Sequence, residues 1–245
     1  MLSNHPLKAS AALANLIRIP VDAAKLAAQP QVSILIALFR ETEMVDQLIG
    51  QIRRLTYPAS QLEAFLLTEQ SDTESHAALT LCDLPDNVTL LKLRPGPITT
   101  KPRALNYGLR FCSSDIVGIY DAEDRPDPDQ IEQAVAKFAA SPSDMVGLQG
   151  VLNTYKSDAN WLTRCLTIEY AVWFLLILPG IVNLGMAIPL GGTTVFLLRA
   201  ALNEMGGWDA HNVTEDADLG IRIARHGYHT DMLPSVTYEE ANIHV

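Results

Sequence analysis

From residue 32 onward, short apolar runs of strand length alternate with segments whose apolar residues recur at helical spacing, and no other feature narrows the fold as much. Val32–Leu38 (VSILIAL) is apolar almost throughout, as a strand covered on both faces must be. Val45, Leu48, Ile49, Ile52 and Leu55 then trace one face of a helix, with Thr42 expected to cap it and Tyr57-Pro58 to end it. Ala64–Thr68 and Thr89–Arg94 read as the second and third strands, Ala104–Phe111 as a helix and Ile116–Tyr120 as a fourth strand. Asp127 followed by Pro128 is expected to serve as N-cap and first helical position, ahead of the stripe Ile131, Ala134, Val135, Phe138. Met145–Gln149 and Thr193–Leu198 are the later strands. This alternation predicts an α/β fold, a mostly parallel sheet with helices on both faces. Ligands of such sheets sit beyond the carboxyl ends of the strands.

The chain of 245 residues is 48% apolar, enough for one core. Residues 1–30 are expected to form an amphipathic helical segment, with the stripe Leu13, Leu16, Ile17, and residues 31–245 a single domain. No secretory signal is visible in Met1–Gln31. Eighteen Lys and Arg against 28 Asp and Glu leave a net charge of −10, which argues against a nucleic-acid partner. A phosphorylated ligand would then need local cations or a metal. Cys82, Cys112 and Cys165 have no paired or metal-ligand spacing, which excludes a disulfide scaffold and points to the cytosol or a cytosol-facing surface. Tyr170–Val182 (YAVWFLLILPGIV) carries no charge over 13 residues and is broken by Pro179 and Gly180. A span needs roughly 20 residues, so a buried or interfacial helix is expected, its aromatic cluster facing either lipid or core.

Four constellations carry chemistry. Asp121 and Glu123 stand two apart after the strand IVGIY, where converging carboxylates repel unless a divalent cation joins them; a solvated acidic turn is the plainer alternative. Glu215, Asp216 and Asp218 crowd the first turn of a helix capped by Thr214, which good helix design explains and which also suits a general base. Lys101 and Arg103 form a basic patch where a loop enters a helix, as a phosphate site or a solvated face requires. Gly191-Gly192-Thr193 allows either a tight turn or close approach to a ligand. No P-loop, G-x-G-x-x-G after the first strand, G-x-S-x-G elbow or zinc set is present.

Taken in order, VSILIALFRE, LLTEQSD, KPRALNYGL, YDAEDRPDP, GGTTVF and GGWDAHNVTEDADLGIRIARHGY resemble the family 2 glycosyltransferases of the GT-A fold, from about Val32 to Glu240. Within that family they are similar to the bacterial membrane branch related to cellulose synthase and poly-N-acetylglucosamine synthase. The resemblance implies a UDP-sugar donor, a glycan or lipid acceptor, Mg²⁺ or Mn²⁺, and work at the cytoplasmic face of the inner (plasma) membrane. It places Ala37 to Glu41 beside the base and ribose, Glu69 and Asp72 on the uracil side, and Lys101 near the nucleotide. Asp121 and Glu123 stand for the D-x-D element that holds metal and diphosphate. Gly191, Gly192, Thr193 and Glu215 fall on the acceptor side, and Asp216 of Thr214-Glu215-Asp216 matches the catalytic base of an inverting transfer that makes a β-linkage. Glu123 replaces the second aspartate of D-x-D, and Gln70 and Ser71 thin the family's acidic pair. The chain stops at Val245, short of the family's Q-x-x-R-W and transmembrane helices, and so is expected to be a truncated catalytic domain. The alternatives are a non-catalytic sugar-nucleotide-binding fragment and a nucleotidyltransferase.

Overall fold

A computed structural model describes residues 29–155 and 160–239. The N-terminal helix expected around Leu13 to Ile17 lies outside the described residues.

Eight strands form one sheet in the order β3-β2-β1-β4-β7-β6-β8-β5. They are β1 (Val32–Leu38), β2 (Leu62–Glu69), β3 (Val88–Leu93), β4 (Ile116–Tyr120), β5 (Arg125–Pro126), β6 (Met145–Thr154), β7 (Val195–Leu198) and β8 (His229–Glu239). The helices are α1 (Val45–Arg54), α2 (Thr73–Leu81), α3 (Lys101–Leu109), α4 (Gln130–Ala140), α5 (Trp161–Asn183), α6 (Arg199–Glu204) and α7 (Glu215–Arg225). Strands β3, β2, β1 and β4 run parallel, as the alternation predicts. Strand β7 enters antiparallel beside β4, β6 pairs antiparallel with β7, and β8 runs parallel to β6.

Register explains where a site forms. Leu38 pairs with Thr68 and Ile36 with Tyr120, so β1, β2 and β4 leave the sheet at one edge. Ile119 pairs with Val195, so the chain entering β7 arrives at the edge where β4 departs. Arg125 pairs with Tyr238, which returns the end of β8 beside the turn after β4. Five segments distant in sequence therefore meet beyond one end of the strands.

Side chains of β1 alternate between two cores. Leu35 packs with Leu67, Val117, Leu105 and Leu197 on one face; Ile34 and Ile36 pack with Leu66, Phe196, Val45 and Ile131 on the other. Burial on both faces is why VSILIAL shows no polar alternation. Gly118 of β4 is needed for close packing: a Cβ there would meet Ile34 Cδ1 at 2.5 Å and Phe196 Cε1 at 2.9 Å.

Several boundaries differ from expectation. Helix α1 begins at Val45 after Met44, and Thr42 lies in the preceding turn without capping it. Asp127 is not an N-cap. Its Oδ2 accepts the Val236 N–H at 2.8 Å and the Ser235 hydroxyl at 3.3 Å, bracing β8, and the helix starts after Asp129. Thr214 does sit at the N-cap of α7, yet its hydroxyl turns back to Asn212 Oδ1 at 3.1 Å. Helix α3 starts earlier than Ala104, at Lys101, because Pro102 in the first turn tolerates the missing N–H. Strand β8 was hidden by Pro234, which falls where the β6–β8 register slips between Gly150 and Val151.

The apolar helix is longer than its uncharged run. Asn160 and Thr163 form a capping box, with the Thr163 N–H 2.9 Å from Asn160 Oδ1 and the Asn160 N–H 3.0 Å from Thr163 Oγ1. The helix then runs 23 residues, long and apolar enough to cross a membrane, with a π turn over Trp173–Ile177. Pro179 cannot donate to the carbonyl four residues back, and the helix widens just before it. Phe174, Ile177 and Leu178 are buried in the core, while Trp161, Ile168, Val172 and Leu175 form an exposed stripe. The aromatic cluster faces the core: Phe174 is buried there and Tyr170 and Trp173 pack against it.

Candidate functional site

Asp121 is the first residue beyond β4, and its N–H donates to Asp124 Oδ2 at 2.8 Å and to Thr193 Oγ1 at 3.1 Å. Lys101, the first residue of α3, spans from the Asp121 carboxylate to the Gly192 carbonyl, with Nζ 2.5 Å from each. Asp216 comes in from the first turn of α7. A Cβ built on Gly192 would lie 3.3 Å from Asp216 Oδ2 and 3.8 Å from Lys101 Nζ, so a methyl there would press on the Asp216 carboxylate and touch the ammonium. The next residue but one, Thr194, is fully buried at φ +55°, a conformation β-branched residues avoid at a cost of about 1–3 kcal/mol.

The electrostatics follow from this crowding. Burial pulls the Lys101 ammonium down, but Asp121, Asp216 and Asp124 outweigh it and hold the group above its ordinary value. Burial pushes Asp216 up to about 6; Lys101 opposes that shift, and Glu215 and Asp121 add to it. Asp124 is pushed far above the carboxylate range, first by burial and then by the charge of Asp121. Glu239, the last residue of β8, is raised by burial and by Asp121, and accepts a hydrogen bond from Tyr170 of α5.

Beside this cluster lies a cleft of about 250 Å³ between the end of β1 and the start of α3, lined by Ala37, Phe39, Glu41, Glu69, Thr100 and Lys101 among others. Glu69 pairs with Arg103 at 2.5 Å, with both groups mostly buried. Glu41 is raised by burial and by the carboxylates of Asp121 and Asp72. Asp72 itself is absent from the cleft lining. Its oxygens accept the Arg40 N–H at 2.8 Å, the Ser75 hydroxyl at 2.7 Å and the Ser75 N–H at 3.1 Å, so it caps α2 and braces the loop after β1. Burial alone would raise its carboxyl, but these hydrogen bonds bring it below the ordinary value.

The structure thus brings Glu41, Lys101, Asp121, Gly192, Thr193 and Asp216 to one sheet edge. Glu215 is buried beside Asp216 and hydrogen-bonded to it. Gly191 is held by its N–H on Gln149 Oε1 at 2.7 Å. Glu123 is partly exposed, and its charge is felt at Tyr170 of α5. Sequence reasoning singled out neither Asp124 nor Glu239, though both were signalled, as the third acid of YDAED and the first acid of TYEE.

The donor set suits a hard divalent ion. Asp121 and Glu123 offer only oxygen, the donor such ions prefer, whereas Asp124 is buried and bound to the Asp121 N–H and the Thr193 hydroxyl. Among the described residues no group of three or more His, Cys, Asp or Glu is arranged to hold an ion. An ion at Asp121 and Glu123 would therefore complete its shell from ligand oxygens and water, as Mg²⁺ commonly does.

A mixed, largely parallel sheet of this kind, with a cleft and an acidic turn at its carboxyl edge, is the GT-A fold. It matches the structure of the mannosyltransferase PcManGT from Pyrobaculum calidifontis in complex with GDP-Man and Mn²⁺ at a TM-score of 0.69, over 95% of this chain and 66% of that one, with 22% sequence identity. Residues 30–242 match the family described as glycosyltransferase like family 2, and the chain belongs to it. It is 28% identical over 216 residues to the β-monoglucosyldiacylglycerol synthase of Synechocystis, covering 87% of this chain and 44% of the relative. It is 25% identical to glucomannan 4-β-mannosyltransferase 7 of Arabidopsis thaliana over 82% of this chain and 37% of the relative. The chain spans about half the length, or less, of these curated relatives.

Proposed function

We propose that residues 31–245 are the catalytic domain of a metal-dependent, inverting glycosyltransferase that moves a hexose from a UDP-sugar to a glycan or lipid acceptor and forms a β-linkage. The observation that carries this reading is the meeting of Asp121, Lys101 and Asp216 at one edge, next to a cleft of about 250 Å³. Asp121 and Glu123 would hold Mg²⁺ or Mn²⁺, which when bound offsets the charge gathering on the departing diphosphate. Lys101 adds a fixed cation on the same side. Asp216 takes the proton of the acceptor hydroxyl as it attacks the anomeric carbon opposite the leaving group, so one displacement inverts configuration. Its elevated pKa suits that task, because a base near 6 holds a proton better than an ordinary carboxylate does.

A polysaccharide or glycolipid product is supported by relatives whose names specify glucomannan and monoglucosyldiacylglycerol synthesis. A place at a membrane surface, on our reading its cytoplasmic face, draws its support for lipid contact from the exposed apolar stripe of α5. The structural neighbour carries GDP-Man, so guanosine donors are the comparison arm.

The test incubates the chain with UDP- and GDP-hexoses, Mn²⁺ or Mg²⁺, and glycan or diacylglycerol acceptors, and identifies every product. Release of nucleoside diphosphate that stops with EDTA and falls about 10²–10⁴-fold in Asp216→Asn supports the proposal. Pyrophosphate as product would make the chain a nucleotidyltransferase. Donor binding without turnover would make it a sugar-nucleotide-binding fragment, and a product retaining the α configuration would exclude single displacement.

A further inference from the structure

Asp124 is the most deeply buried acid among the described residues, 2% exposed, and the mechanism above gives it nothing to do. Its Oδ2 accepts both the Asp121 N–H, at 2.8 Å, and the Thr193 hydroxyl. The Thr193 oxygen in turn accepts the same N–H at 3.1 Å. These three groups close a small knot between the turn after β4 and the loop before β7, 69 residues apart in sequence.

That loop is held from several sides. Gln149, buried in β6, accepts the Gly191 N–H at 2.7 Å and donates to the Thr193 carbonyl at 3.2 Å. Thr194 keeps its left-handed backbone while its N–H reaches Ile119 O and its carbonyl takes the Gly150 N–H, each at 2.8 Å. A conformation this unfavourable persists only where neighbours over-determine it. What it presents is Gly192, whose carbonyl seats Lys101 at 2.5 Å and whose bare Cα leaves room for Asp216.

We propose that Asp124 and Thr193 are a positioning pair that sets the spacing between the turn holding the leaving group and the loop seating Lys101 and Asp216. The pair rests on the sugar-transfer reading and acts through the Asp121 turn and the Gly192 loop. Cutting the link leaves the turn able to bind metal and nucleotide, because Asp124 still takes the Asp121 N–H. It frees the loop, and transfer slows.

Three variants test this in the full chain: Thr193→Val, which keeps shape and loses the hydroxyl; Thr193→Ser, which keeps the hydroxyl; and Asp124→Asn, which keeps an oxygen for both donors. The readouts are donor turnover with Mn²⁺, calorimetric binding of UDP and GDP with Mn²⁺, and amide exchange over residues 189–195. Thr193→Val is expected to lose about tenfold or more in turnover, the effect of one hydrogen bond expressed in the transition state, with nucleotide affinity changed far less and loop amides exchanging faster. Thr193→Ser is expected to recover most of the turnover that Thr193→Val loses, and Asp124→Asn to keep the loop amides as protected as in wild type. Wild-type turnover in Thr193→Val, equal losses of binding and turnover, or an inactive Asp124→Asn beside an active Thr193→Val would each overturn the pair. A wild-type chain that neither binds nucleoside diphosphate nor turns over donor would overturn the sugar-transfer reading itself, and the pair with it.

Discussion

Replacing Lys101 by methionine should move the acid limb of the pH–rate profile upward. Asp216 Oδ2 and Lys101 Nζ lie 3.3 and 3.8 Å from one point, the Cβ position of Gly192, so they are at most about 7 Å apart. At an effective dielectric of about 20, unit charges at that distance interact by about 2.4 kcal/mol, and 1.36 kcal/mol corresponds to one pH unit. Lys101 is the chief influence holding Asp216 down against burial, so its loss releases the carboxyl upward from about 6. A base works only when deprotonated: activity is present above its pKa and lost as pH falls through it. The limb in kcat/KM, which reports the free enzyme, should therefore rise by about one to two pH units, toward 7 to 8. The whole profile will be lower, because Asp121 also loses its partner, but the limb is read from shape rather than height. Measurement is a profile of kcat/KM from pH 5 to 9 for wild type and Lys101→Met at fixed ionic strength and Mn²⁺. A limb that stays in place, or moves to lower pH, would refute the coupling of these two groups.

Gly192→Ala should leave the fold intact and cut turnover about tenfold or more, since the new methyl sits 3.3 Å from the Asp216 carboxylate and displaces it; unchanged kcat with unchanged melting temperature would count against the geometry. Gly118→Ala overpacks the sheet against Ile34 and Phe196, and calorimetry should find a loss of about 1–3 kcal/mol, or about 2–4 °C in Tm per kcal/mol. Glu69→Gln weakens the pair with Arg103 at the cleft wall and should lower affinity for UDP or GDP, measured calorimetrically, more than it lowers kcat. Ile168→Glu with Leu175→Glu charges the exposed stripe of α5, and sedimentation with phospholipid vesicles should fall sharply while donor binding holds.

Much of this protein was legible because its signals are local. Burial on both faces writes itself into VSILIAL, AFLLT and IVGIY as nearly continuous apolar runs, and the order of those runs is enough for a doubly covered sheet. The acid-rich turn YDAED and the helix start TED also declare themselves, because a strand end and a helix N-terminus are short-range features. Tertiary contact alone decided the rest. Asp72 resembles a ligand-side acid in sequence, yet its oxygens are committed to the backbone of Arg40 and Ser75. Which acid of YDAED is buried depends on a threonine 69 residues further along the chain. That Lys101 neighbours Asp216 follows from β7 arriving antiparallel beside β4, a choice of strand partner that no window of sequence contains. Periodicity records how much of each segment is hidden from water, whereas hydrogen-bond partners and perturbed charges depend on which segments are stacked together.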